Sequence, residues 1–181
     1  MKIFFYLFIF ILGIEINAMN LLEFEKNQKN FILKKWEYVS DQVMGGVSSG
    51  KLEFLSEKNQ KYLRLSGKVS TENNGGFIQF RSGFNFDNNE YKGIRLKIRG
   101  NPSEYFIHIR TVFLFLPWQY YSGKFFAEEG WSQVEILFED FEKSNFYQPS
   151  TFSPSDIKSI GFVAFGKDFD AQLDLMEAEV F

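Results

Sequence analysis

The chain has 181 residues, enough for one domain with a short targeting segment and too few for two ordinary domains. Hydrophobic residues at 45% and charged residues at 24% describe a globular chain and exclude long disorder and a polytopic membrane protein, while a net charge of −3 argues against a nucleic-acid binder held by a basic field. Cysteine is absent and His108 is the single histidine, so disulfides, thiolate zinc sites, iron–sulfur clusters, a cysteine nucleophile and multi-histidine metal sites all drop out.

The N-terminus reads as an address. Met1-Lys2 precedes an apolar run from Ile3 to Leu12 that continues through Gly13-Ile14, is broken by Glu15, and leaves at the small residue Ala18. This is the layout of a secretory signal, and the run is shorter than the roughly 20 apolar residues of a spanning helix. Residues 1–18 are therefore expected to be a signal peptide or a retained membrane anchor helix, and the protein to be exported to a periplasmic or extracellular space. Without cysteine, an exported domain rests on its core alone.

Residues 19–35 are read as a tether or short helix, with Leu21 to Lys35 predicting a charged helical segment. Residues 36–181 form the domain proper. Aromatic residues make up 19% of the chain, and 14 glycines accompany only four prolines, a composition that favours strands over a helical bundle. Strands are predicted at residues 62–69, 76–81, 94–99, 105–110, 119–127, 132–137, 159–165 and 172–181, with a turn at Glu57-Lys58-Asn59-Gln60. The clearest alternation sets Ile94, Leu96 and Ile98 on one face and Arg95, Lys97 and Arg99 on the other, the period of a sheet with one face on a core and one toward water. About nine short strands without a long amphipathic helix predict an all-β sandwich.

Two segments interrupt the strand rhythm. The first runs Ser40-Asp41-Gln42-Val43-Met44-Gly45-Gly46-Val47-Ser48; its paired glycines permit close backbone approach, and Asp41 and Ser48 can hold exposed amides. It is either a tight loop fixed by Asp41 or a ligand-contacting loop. The second, Ser70-Thr71-Glu72-Asn73-Asn74-Gly75-Gly76-Phe77, is a polar turn with Glu72 partly buried; it lacks the lysine and helix start of a phosphate loop. Asp41 and Glu72 form a candidate acid pair for glycoside hydrolysis, which ranks last because nothing in the sequence brings them together.

On the strand at 105–110, His108 shares a face with Phe106 and Arg110. With no second histidine it is read as a partly exposed strand residue rather than a metal ligand. Arg110 is expected to pair with Glu72 or Asp41. The run Phe113-Leu114-Phe115-Leu116-Pro117-Trp118-Gln119-Tyr120-Tyr121 carries a proline that favours a loop. Its aromatics are open to three readings: core packing, partner contact, or sugar stacking by Trp118, Tyr120 or Tyr121.

Taken together, Trp36 with Ser40–Ser48, Gly67–Phe77, Tyr91-Lys92-Gly93-Ile94-Arg95-Leu96, Arg99-Gly100, Ile109-Arg110-Thr111, Trp131, Phe138-Glu139-Asp140-Phe141, Ile157–Phe162 and Leu173-Asp174-Leu175 resemble the complex I intermediate-associated protein 30 family over residues 36–181. The resemblance implies a galactose-binding-like jelly-roll β-sandwich and a non-enzymatic, chaperone-like role of the kind that eukaryotic members play in building the membrane arm of respiratory complex I. It implies a protein partner such as a membrane-complex subunit, and no cofactor or catalytic residue. Because the fold is also that of carbohydrate-binding modules, a carbohydrate ligand is the alternative. An exported member would meet membrane subunits from their outer side.

Overall fold

The computed structural model describes residues 18–24 and 29–181, so the signal or anchor helix expected in residues 1–18 lies, apart from Ala18, outside the described residues. In chain order the elements begin with β1 (Met19–Asn20), helix α1 (Lys29–Lys35), β2 (Glu37–Ser40), β3 (Ser49–Glu57), β4 (Gln60–Val69), β5 (Phe77–Gly83) and β6 (Gly93–Gly100). They continue with β7 (Ser103–Thr111), β8 (Tyr121–Ala127), β9 (Ser132–Leu137), β10 (Glu142–Lys143), β11 (Ile157–Phe165) and β12 (Phe169–Val180). Among the described residues these strands make two antiparallel sheets. The first has the order β3-β4-β12-β6-β9, with β1 beside the C-terminal half of β12; the second has the order β10-β8-β7-β11-β5-β2.

The chain is thus a two-sheet antiparallel β-sandwich, and its register follows from the alternation. Ile94, Leu96 and Ile98 of β6 point into the core, as do Tyr105, Ile107 and Ile109 of β7, while the charged or aromatic residues between them face outward. Trp36 is the largest buried side chain and packs on Phe80 and Phe162, with ring centroids 5.3 and 5.6 Å away. Fully burying such apolar side chains stabilises by about 1.5–3 kcal/mol each. Leu21, Leu22 and Ile32 join the same core, and the Leu21 amide donates to the Ala178 carbonyl at 2.8 Å. Of the stretch Leu21–Lys35, Lys29–Lys35 is helical.

Four strands lie outside the expected set: the two-residue β1 and β10, and the longer β2 and β3. β3 is an edge strand whose Leu52, Glu53, Phe54 and Leu55 are all half-buried, so no clean alternation marks it. It pairs with β4 through the turn expected at residues 57–60, where Lys58 and Asn59 take φ of +50° and +66°. β2 is only four residues long and runs straight into the Asp41 loop. In β12, a bulge at Met176 shifts the register and turns Glu177 and Glu179 outward opposite Lys97 and Arg95.

Candidate functional site

Three surfaces of the sandwich carry the polar and aromatic side chains of interest: the corner formed by the two Gly-Gly loops, the outer face of the first sheet, and the outer face of the second sheet with the loops at its far end.

At the corner, Asp41 opens a single 3₁₀ turn over Asp41–Met44 that ends at Gly45, whose φ of +94° suits glycine. The Asp41 side chain is fully buried. Its Oδ1 accepts the Ser48 amide at 2.9 Å, and its Oδ2 accepts the Ser48 hydroxyl at 2.5 Å, the Gly76 amide at 2.5 Å and the Phe77 amide at 3.2 Å. Burial pushes the carboxyl pKa up, but these hydrogen bonds outweigh it and hold the group below its ordinary value. Gly46 and Gly75 lie against this carboxylate, and a Cβ on either would enter the space of the Asp41 side chain. The glycines of both motifs therefore exist to let two loops close around one ionised group. Ser48 extends the lock by accepting the Ser70 amide at 2.9 Å, and Asp168 fastens the neighbouring turn by accepting the Thr71 amide and hydroxyl at 2.7 and 2.8 Å.

Of the two readings of the first loop, the geometry matches the tight loop fixed by Asp41. Glu72, expected to be partly buried, is exposed, as are Asn73 and Asn74, which take φ of +57° on the turn. Met44 is also exposed. The acid pair for glycoside hydrolysis fails on the same facts, since Asp41 is sealed from solvent with both oxygens engaged.

Arg110 corrects a second expectation. Its β7 register places it beside Ser159, which pairs with Gly83 at the end of β5 away from Gly76 and Phe77. That is the length of β5, about 20 Å from the corner at 3.3 Å per residue. Instead of pairing with Glu72 or Asp41, its Nη2 donates to the carbonyls of Leu114 and Leu116 at 3.2 and 3.1 Å. Burial, and after it the nearby Arg81, lower its pKa from the ordinary guanidinium value.

The outer face of the first sheet is closed by ion pairs. Asp174, buried, accepts Arg64 Nε and Nη2 at 2.6 and 2.7 Å and Arg99 Nε at 2.8 Å. Arg95 sits between Glu135 and Glu179, each at 2.6 Å, and the Arg99 guanidinium lies 4.5 Å from the Trp131 ring. These charges satisfy one another and leave a polar lattice.

The outer face of the second sheet is different. Phe106, His108 and Arg110 of β7 stand beside Val163 and Phe165 of β11 and Gln79 and Arg81 of β5, with Phe126 exposed on β8. Tyr120 lies flat over His108 at 3.9 Å, and Phe165 meets the imidazole edge-on at 5.6 Å. Burial drives the His108 pKa down to about 3, so the ring is neutral at ordinary pH. Gly161 opposes His108 in the ladder, and a Cβ there would crowd Gln79 Oε1 at 2.9 Å, so the glycine lets the Gln79 and Arg81 side chains pack over it. Toward the α1 side the face opens into a cleft lined by Lys34, Lys35, Arg81, Arg110 and Lys158 with Glu37 as its one carboxylate. Arg81 and Glu37 are 3.3 Å apart.

At the far end of this sheet, residues 112–120 form a loop without a charged residue. Leu114 is buried and anchors it, while Phe113, Phe115, Leu116 and Trp118 are exposed. The Leu116 amide donates to Gln119 Oε1 at 3.1 Å. A second loop packs alongside: Ser144 Oγ donates to the Trp118 carbonyl at 3.1 Å, and Gln148 Nε2 donates to the Tyr120 carbonyl at 2.8 Å. It presents Phe146 and Tyr147, 83% and 89% exposed, as the first loop presents Phe115 at 84%. Phe146 and Tyr147 were not singled out in the sequence. The signal that marks them is an adjacent aromatic pair inside a stretch, residues 144–155, that contains no charged residue. Among the described residues no cluster of histidine, aspartate and glutamate is arranged to hold a metal ion.

Architecture and surfaces together define a two-sheet antiparallel β-sandwich with one ion-paired face and one aromatic face. The chain belongs to the complex I intermediate-associated protein 30 (CIA30) family, whose model matches residues 22–175. The match starts before Trp36 and takes in Leu22 and Ile32 of the core. Among solved structures, the family 11 carbohydrate-binding module of the cellulosomal cellulase Lic26A-Cel5E of Clostridium thermocellum is similar at 17% identity and a TM-score of 0.71, covering 91% of this chain and 94% of that one. A family 11 module from Clostridium thermocellum in complex with a β-1,3-1,4-mixed-linked tetrasaccharide gives 16% identity and a TM-score of 0.69, with coverages of 91% and 95%. An agarase crystal structure is similar at 10% identity and a TM-score of 0.58, covering 90% of this chain and 24% of that enzyme. At these identities the likeness is one of fold. No curated protein matches the chain.

Proposed function

We propose that this domain is a non-catalytic binding domain of the assembly-factor kind, and that it holds a protein partner on the outer face of the second sheet. The observation that carries the reading is the contrast between the two outer faces. The first sheet pairs its outward charges with one another, whereas the second leaves Phe106, Phe126, Phe165 and the His108–Tyr120 stack as an aromatic face, with a cleft only at its Arg110 end. A half-exposed aromatic face of this kind gains from covering apolar surface on a partner that would otherwise meet water. Membership of the CIA30 family supports a partner related to the membrane arm of complex I, such as an unassembled membrane subunit. The leader pattern of residues 1–18 adds the proposal that the domain works outside the cytoplasm. Deleting those residues should retain the protein there, and unchanged fractionation would overturn that part.

The partner proposal is tested by affinity capture of the full chain from its native host, with mass-spectrometric identification. Phe126→Asp, which charges the exposed ring at the β8 side of the face, should reduce recovery of a membrane-complex subunit about tenfold. Equal recovery from the wild type and the variant contradicts the assignment of this face.

A second reading is favoured by one specific feature. The same face carries aromatic rings on a sandwich whose structural neighbour holds a mixed-linked tetrasaccharide. In that reading Tyr120 and Trp118 supply ring stacking and Gln79 and Arg81 supply hydrogen bonds. Titrating β-glucan oligosaccharides against tryptophan fluorescence separates the two, because sugar binding quenches the wild type and a Trp118→Phe variant responds much less.

A further inference from the structure

The loops at the far end of the second sheet combine three features that the partner reading does not use. Residues 112–120 and 144–155 contain no charged residue, so seating them in an apolar medium removes no charge from water. Their exposed tips are Phe113, Phe115, Trp118, Phe146 and Tyr147, the aromatic residue types that settle at a membrane–water boundary. The tips are also held in place: Arg110 grips two carbonyls of the first loop, and Ser144 and Gln148 bind the two loops to each other. A presented aromatic pair of loops loses little side-chain and backbone freedom on docking.

Beside these tips the charge turns positive. Arg110, which fixes the first loop, also lines the cleft with Lys34, Lys35, Arg81 and Lys158; Glu37 is the one carboxylate in the lining and Glu23 pairs with Lys35 at 3.2 Å, so five cations face two acids in a chain whose net charge is −3. Lys143 lies 5.7 Å from the ring of Phe146 at the base of the second loop. The acids near the loops are Glu142, which precedes Lys143, the half-buried Asp156, and the exposed Asp87 and Glu90 that flank Asn89, whose Oδ1 accepts the Ser155 amide at 2.9 Å. Cations ranged behind an uncharged aromatic tip match a surface whose apolar interior is covered by negative headgroups.

We infer that the aromatic end of the sandwich docks onto a bilayer carrying anionic lipids, with Phe115, Trp118, Phe146 and Tyr147 seated at the headgroup–acyl boundary and the cleft lysines facing the headgroups. This surface is separate from Phe126 and the centre of the sheet, so an assembly factor docked in this way keeps its partner face free along the membrane.

The test uses the full chain, in which the absence of cysteine makes an introduced cysteine a unique label. Phe115→Cys and Tyr147→Cys carry an environment-sensitive fluorophore, and Val43→Cys, at the opposite corner, serves as the control. Mixed phosphatidylcholine–phosphatidylglycerol vesicles should blue-shift the labels at 115 and 147 and leave the label at 43 unchanged. That pattern also separates the aromatic end from any membrane affinity of residues 1–18. In the 115-labelled protein, the triple change Lys34→Glu, Lys35→Glu and Lys158→Glu should weaken the response to these vesicles about tenfold. Pure phosphatidylcholine vesicles should be bound more weakly than the anionic ones. No shift at 115 and 147, or an equal shift at 43, overturns the proposal, as does equal binding to both vesicle types. A shift produced by the captured protein partner and not by vesicles also overturns it, by assigning this end to protein. Absence of the vesicle response with partner recovery still reduced by Phe126→Asp overturns the membrane proposal alone, whereas equal recovery from Phe126→Asp with the vesicle response intact overturns the partner assignment alone.

Discussion

The two ends of the second sheet handle polar and apolar groups in opposite ways. At one end, Asp41 is buried and four donors from two segments, Ser48 and Gly76-Phe77, converge on it, so that the loops carrying Gly46 and Gly75 close tightly around a charge. At the other end, the loops bury Leu114, Gln119, Gln148 and Pro154 and present Phe113, Phe115, Trp118, Phe146 and Tyr147 to solvent. The first end spends its unusual residues on holding the fold together; the second spends backbone hydrogen bonds on displaying side chains that add nothing to the core. Motifs that stand out in a sequence thus divide by what their side chains meet. A glycine pair beside a buried carboxylate specifies a corner, whereas an uncharged aromatic loop specifies a contact.

The largest stability effect should come from Asp41→Ala, which leaves the buried amides of Ser48 and Gly76 without an acceptor. It should cost about 3–5 kcal/mol in denaturant unfolding, and a loss below about 1 kcal/mol would break the contrast. Gly46→Ala should follow at about 2–3 kcal/mol, since the added methyl displaces a locked carboxylate.

Next in size is the pH dependence of the aromatic face. His108 is held neutral in the fold, with its pKa pushed down to about 3 from an ordinary 6.5. Below pH 6.5 the unfolded chain takes up a proton that the fold refuses, so stability falls as pH falls across that window, by at most about 1.4 kcal/mol per pH unit. His108→Phe should flatten the slope between pH 6.5 and 4 in thermal melts. The Asp41 contribution is lost only lower, as pH falls through its depressed pKa, which separates the two windows. The smallest effect belongs to the tips: Phe115→Ser with Tyr147→Ser should change unfolding stability by less than about 0.5 kcal/mol. A larger loss would mean that these rings support the fold after all.

How much of this was legible in the sequence depends on the reach of each interaction. The alternation of Ile94, Leu96 and Ile98 marked β6 because a strand with one buried face writes its period into neighbouring residues. β3, half-buried on both faces at an edge, writes no such period. The glycine pairs were recognisable as loops and as a family signature. That both close on the same carboxylate could not be read, because Asp41 and Gly76 are brought together only by the pairing of β2 with β5. Arg110 was assigned an acidic partner on charge alone, and strand register placed it at the other end of the sheet. Phe146 and Tyr147 carry no such mark, because a short aromatic pair in a polar stretch looks the same whether it is buried or displayed.

The central claim is that the glycine corner is structural and the aromatic face of the second sheet is where a partner is held. Hydroxyl-radical footprinting of the full chain, alone and bound to the partner captured from its host, tests this directly. The account predicts that Phe126 and Tyr120 become protected in the complex while the exposed Met44 at the corner is oxidised as before; protection of Met44 with Phe126 unchanged would contradict it.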